Sequence, residues 1–86
     1  MLRTSEANAS AITGLSGSVV DLRELPAPEP FEQALLHVAR LGSGQSVIVW
    51  TPRVPQPLLQ RLRERSLLFI FEPAPDGSAL VYIERP

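Results

Sequence analysis

Apolar residues recur along this chain with two different periods, and each change of period marks a predicted element. Residues 19–22 are apolar except for Asp21 and predict a first strand. From Glu29 or Pro30 onward the apolar residues recur every three or four positions, which predicts a helix with one apolar stripe. That stripe consists of Phe31, Ala34, Leu35 and Val38. Gly42 is expected to end the helix as its C′ residue.

The middle of the chain predicts a second strand and a second helix. Residues 47–50 are a continuous, mostly β-branched run and predict the strand. Residues 51–57 contain three prolines and predict an irregular connector, because proline cannot donate a backbone hydrogen bond. Leucines on one side of residues 58–65 predict the second helix.

The end of the chain predicts a β-hairpin. Residues 67–72 and 79–84 are apolar runs, and Asp76-Gly77 between them supplies the positive φ that a tight turn needs. The predicted order is therefore β-α-β-α-β-β. Right-handed crossovers place both helices on the same face of the sheet. We predict a two-layer α/β sandwich with a mixed four-stranded sheet, formed by residues 17–86, after a flexible N-terminal tail of residues 1–16.

Composition excludes several classes of function. The sequence contains no cysteine, which removes disulfides, thiolate catalysis and cysteine-ligated metals. A net charge of −1 argues against a nucleic-acid partner. All eight basic residues are arginine, which is typical of a GC-rich bacterial genome. The apolar runs are too short to span a membrane, so we expect a cytoplasmic protein with no membrane partner. We also expect no cofactor and no metal site.

Charged residues cluster where the first strand passes into the first helix, and they make this elbow a candidate ligand site. We select Asp21, Arg23, Glu29 and, from the connector, Arg53. A helix N-terminus beside an arginine could bind a small anion or small ligand, and paired carboxylates could hold a hard cation. In the structural alternative, the acidic residues complement the helix dipole and Arg23 pairs with a neighbouring carboxylate.

The strands are apolar on both faces, although a two-layer sandwich covers only one face of its sheet. Six large side chains are expected on the face away from the helices: Ile48, Trp50, Leu68, Ile70, Leu80 and Tyr82. A patch of that size predicts an interaction surface, with homodimerisation as its simplest form and a partner protein as the other. In the alternative, the N-terminal tail covers part of this face through Ile12 and Leu15.

Short motifs in the same order resemble a known superfamily. Asp21-x-Arg23-x-Leu25 runs into Pro26-Ala27-Pro28-Glu29-Pro30 at a helix start, and Gly44-Gln45 precedes the second strand. With a closing hairpin, this pattern resembles the TusA/SirA-like proteins. The chain is more closely similar to the DUF2249 family, over about residues 18–85. The residues that carry this second resemblance are Arg53-x-Pro55-x-Pro57-Leu58, Phe69 to Pro73, and Asp76-Gly77.

The chain departs from the sulfur-transfer members of this superfamily at one position. In those members a cysteine precedes the proline at the helix start and carries the persulfide, whereas this sequence has Ala27. A methyl group cannot act as a nucleophile, and no other cysteine can replace it. We therefore predict an uncharacterised, non-enzymatic interaction module with a TusA-like fold. The alternative is a small-anion or small-ligand binding protein that uses the elbow.

Overall fold

A computed structural model describes Ile12 and residues 18–86 of the chain. Its elements are strand β1 (Ser18–Asp21), helix α1 (Glu29–Ala39), strand β2 (Ser46–Thr51), helix α2 (Gln56–Glu64), strand β3 (Leu68–Pro73) and strand β4 (Ala79–Glu84). The predicted order β-α-β-α-β-β is confirmed, and each element begins and ends within two residues of its prediction. The predicted N-terminal tail lies outside the described residues, apart from Ile12.

The four strands form one mixed sheet in the order β1-β2-β4-β3. β1 pairs with β2 in parallel, and β4 pairs antiparallel with both β2 and β3. The connection from β1 to β2 runs through α1, as a parallel pair requires. This prediction of a mixed four-stranded sheet is confirmed.

Both helices pack on the same face of the sheet, as predicted. The central strands contribute Val47, Val49, Val81 and Ile83 to the main hydrophobic core. The helices contribute Ala34, Val38, Leu58, Leu59 and Leu62. These side chains are buried, and alternate residues of β2 and β4 point to the opposite face. The two layers are therefore held by one core between helices and sheet.

The prediction that Gly42 is the C′ residue of α1 is wrong. The helix is followed by Arg40 in a right-handed conformation, and the described glycines with positive φ are Gly44 and Gly77. The guanidinium of Arg85 donates hydrogen bonds to the carbonyl oxygens of Leu41 at 2.7 Å and of Val38 at 3.1 Å. The Arg85 side chain, from a segment distant in sequence, thus satisfies carbonyl oxygens at the end of α1. A glycine in the left-handed conformation was expected to end the helix instead.

The β3–β4 turn confirms the other glycine prediction. Gly77 has φ of 93°, and its N–H donates to the carbonyl oxygen of Ala74 at 3.0 Å. The N–H of Ala74 in turn donates to the carbonyl oxygen of Ser78 at 2.7 Å. A side chain at position 77 would be strained, because L-residues rarely adopt positive φ.

We expect Leu62→Ala to lower the free energy of unfolding by about 2–5 kcal/mol, because Leu62 is fully buried and its truncation leaves a cavity. Leu36→Ala is the matched control, since Leu36 lies on α1 and is 51% exposed. It should change stability by less than about 0.5 kcal/mol. Urea unfolding followed by far-ultraviolet circular dichroism measures both values. Equal losses in the two variants would contradict the assignment of the core.

Candidate functional site

The elbow between β1 and α1 is built from prolines and short backbone hydrogen bonds. The N–H of Leu22 donates to the carbonyl oxygen of Trp50 at 2.8 Å, which continues the parallel ladder beyond Asp21. The N–H of Glu29 donates to the carbonyl oxygen of Pro26 at 2.9 Å, and α1 then begins with proline in its first turn. Because proline fixes φ, the elbow is a stiff connection.

Asp21 and Arg23 form a bidentate ion pair at the end of β1. Nε of Arg23 donates to Oδ1 of Asp21 at 2.9 Å, and a terminal guanidinium nitrogen donates to Oδ2 at 2.8 Å. The backbone N–H of Arg23 also donates to Oδ1, at 3.1 Å. These side-chain and backbone hydrogen bonds lower the pKa of Asp21 to about 2. The hydrogen bond to Asp21 raises the pKa of Arg23.

The same guanidinium covers the indole ring of Trp50. The central carbon of the Arg23 guanidinium lies 3.4 Å from the ring centroid, which is cation–π geometry. Nε1–H of Trp50 donates to Oγ of Ser78 at 3.1 Å, and the Ser78 hydroxyl donates to Oδ1 of Asp76 at 2.6 Å. The hydrogen bonds from Ser78 lower the pKa of Asp76. Trp50 is therefore held between the elbow and the β3–β4 turn.

Of the four residues selected as a ligand site, the structure pairs Asp21 with Arg23. Asp21 and Arg23 pair with each other on the sheet face away from the helices, opposite Trp50. Glu29 is exposed in the first turn of α1. Arg53 lies on the β2–α2 connector. The structural alternative, in which Arg23 pairs with a neighbouring carboxylate, describes the observed geometry.

A groove lies between the β1–α1 and β2–α2 connectors, beyond the carboxyl ends of the parallel strands. Its volume is about 420 Å³. Among the described residues, six prolines line it: Pro26, Pro28, Pro30, Pro52, Pro55 and Pro57. Ala27 also lines it, and so does Arg53. The sequence analysis recognised the proline-rich connector as irregular but did not recognise that the two connectors face one another.

All six residues predicted for the face away from the helices lie on that face. Strand register aligns Ile48, Tyr82 and Ile70 in one row across β2, β4 and β3. The row continues to Val19 on β1, a residue that the sequence analysis missed although its position in the alternation of β1 indicates this face. The patch is therefore one residue wider than predicted.

Exposure along this face is concentrated at the outer strands. Leu68 is 55% exposed and Ile70 is 49% exposed on β3, and Val19 is 60% exposed on β1. Trp50, Leu80 and Tyr82 are partly buried, and Ile48 is only 3% exposed. The centre of the face is therefore buried, and among the six predicted residues the two with the most exposed surface, Leu68 and Ile70, lie on β3.

Ile12 bears on the alternative in which the N-terminal tail covers this face. Its side chain is fully buried, yet it is not part of the core between helices and sheet. Ile48 is likewise buried outside that core. Burial of both side chains agrees with the alternative in which Ile12 covers part of this face. Leu15, the second anchor of this alternative, lies outside the described residues.

The sheet order and the helices on one face define a SirA-like fold. A crystal structure of the SirA-like protein from Desulfitobacterium hafniense is similar, with a TM-score of 0.63, 22% sequence identity, and coverage of 77% of this chain and 93% of that chain. The family model for the uncharacterised conserved proteins of DUF2249 matches residues 19–84. The chain belongs to the DUF2249 family.

Three further findings concern the chain as a whole and its described residues. A search of curated proteins finds no significant match. Among the helices that the structure describes, neither has the length and apolar character needed to cross a membrane. In the described part of the chain, histidine and acidic residues do not gather in groups of three that could hold a metal ion.

The Asp21–Arg23 pair predicts a pH dependence of stability. The pKa of Asp21 is about 2 in the folded protein and 3.8 ordinarily, so the stability from its ionised form is present above pH 3.8. That stability is lost as the pH falls from 3.8 toward 2. Asp21→Asn should flatten the fall in melting temperature over this range. Part of the fall should remain, because the pKa of Asp76 is lowered too.

Arg23→Gln should return the pKa of Asp21 toward 3.8, because it removes the guanidinium that holds the carboxylate ionised. Nuclear magnetic resonance titration of the Asp21 carboxyl carbon measures this shift. The same variant should change the fluorescence of Trp50, since the cation leaves the indole face. An unchanged Asp21 titration in Arg23→Gln would contradict the pairing.

Proposed function

We propose that this domain is a non-enzymatic protein-interaction module that binds itself or a partner protein through the sheet face away from the helices. The observation that carries the proposal is the exposure of Leu68 and Ile70, which are adjacent on one face of β3 and each about half exposed. Large apolar side chains exposed side by side are typical of an interaction surface.

The position of β3 strengthens the proposal. β3 is the last strand of the described sheet, so one of its backbone edges faces away from β4. Edge strands usually carry charges or prolines that prevent pairing with other chains. Residues 68–71 are Leu-Phe-Ile-Phe, and Glu72 and Pro73 come only at the end of the strand. A second copy is the simplest partner, because a self-complementary surface forms a two-fold dimer.

The residues of the elbow support a non-enzymatic role. Ala27 stands where the sulfur-transfer relatives have their cysteine, and the whole sequence contains no cysteine. Asp21 and Arg23, two of the charged residues on β1 and its connector, pair with each other, and Arg23 also covers the ring of Trp50. Charges that are paired in this way stabilise the structure, and the paired carboxylate is not available as a free base.

Ile70→Glu should dissociate a dimer, because a carboxylate on this face would lose its hydration when the face is buried. Sedimentation equilibrium should give the mass of a dimer of 9.4 kDa chains for the wild type and the mass of one chain for the variant. Leu36→Glu is the matched control, since Leu36 is as exposed as Ile70 but lies on α1. It should leave the mass unchanged.

Two results would count against self-association through this face. The first is a wild-type chain that stays at 9.4 kDa throughout the concentration series. The second is a dimer that Ile70→Glu and Leu36→Glu weaken equally. Far-ultraviolet circular dichroism of both variants shows whether each is folded, which the comparison requires.

A further inference from the structure

The groove between the two connectors has the shape and stiffness of a preformed small-molecule site. It lies outside the carboxyl ends of the parallel strands β1 and β2, where open α/β sheets bind their ligands. Its volume of about 420 Å³ falls within the range of small-molecule pockets. Prolines on both connectors restrict the backbone on either side, so the groove does not need to be ordered by a ligand.

The apolar walls of the groove favour a ligand that is itself largely apolar. Proline has no backbone N–H, so the proline positions offer a ligand no hydrogen-bond donor. Leu25, Phe31 and Val54 add further apolar surface. The hydroxyl of Thr51 lies within hydrogen-bond distance of the carbonyl oxygens of Arg53, at 2.8 Å, and Ala79, at 3.3 Å. A sugar would lose the hydration of most of its hydroxyl groups against these apolar walls without finding replacement hydrogen bonds.

The positive charge of Arg53 at the groove favours an anionic ligand. Arg53 is the one charged residue among the described residues that line the groove. It is exposed, and no carboxylate in the described part of the chain pairs with it. The nine-residue helix α2 begins next to it, and its first turn carries no acidic residue to offset the positive end of the helix dipole. Glu29 and Glu32 lie on α1 and do not line the groove.

We propose that the groove binds a small monocarboxylate of about eight to ten carbon atoms in total, most of them in an apolar body. The apolar body lies between the prolines of the two connectors, and the carboxylate pairs with the Arg53 guanidinium. This site uses the helix side of the sheet and a different set of residues from the interaction face. The proposal is therefore independent of the proposed function, and either can fail alone.

The test uses octanoate and 1-octanol, which have the same number of carbon atoms and differ in charge. Isothermal titration of the full chain should show saturable binding of octanoate. Arg53→Gln should weaken octanoate about tenfold and leave 1-octanol unchanged, because only the carboxylate pairs with the guanidinium. Arg61→Gln is the matched control: it removes the same charge from α2 at an exposed position that does not line the groove. It should change octanoate binding less than twofold.

A second variant tests the location of the apolar body. Ala27→Phe places a ring in the groove and should weaken both octanoate and 1-octanol, while amide spectra of β3 and β4 stay unchanged. Absence of saturable octanoate binding would overturn the proposal. So would equal losses in Arg53→Gln and Arg61→Gln, or amide shifts that appear at Ile70 on the sheet face instead of at the two connectors.

Discussion

Parallel pairing of β1 with β2 is the constraint on which the rest of this structure depends. The pairing continues past the strand itself, since the N–H of Leu22 donates to the carbonyl oxygen of Trp50. Two parallel strands end at the same edge of a sheet, so the β1–α1 and β2–α2 connectors leave that edge side by side. The groove exists because these connectors face each other. The ion pair of Asp21 reaches Trp50 for the same reason, because the two residues are partners in the ladder.

The two faces of the sheet are stabilised by different interactions. On the helix side, apolar side chains from both helices and the central strands form one core. On the other face, the Arg23 guanidinium and Ser78 hold Trp50 from two directions, and Ile48 is buried. Much of the predicted apolar face is therefore already occupied by the protein's own structure. The free surface that remains is mainly on the outer strands, which is why the interaction proposal rests on β3.

Periodicity was sufficient to predict the fold, because local patterns specify each element and crossover handedness specifies how the elements stack. The error at Gly42 had a different source. Arg85 supplies the hydrogen bonds at the end of α1, and contacts between residues so distant in sequence leave no local pattern. The candidate site was only partly predictable for a related reason. Arg23 and Arg53 are both close to prolines in the sequence, but one faces Trp50 and the other lines the groove.

Ala27 gives the groove its chemical character. In the sulfur-transfer proteins that this sequence resembles, a thiolate at this position makes the elbow a site of covalent chemistry. Here the position is a methyl group, and six of the nine prolines in the sequence line the same groove. The shape of the groove comes from the stiff connectors and not from the side chain at position 27. An apolar groove between stiff connectors, whose described lining carries one unpaired cation, is suited to reversible binding.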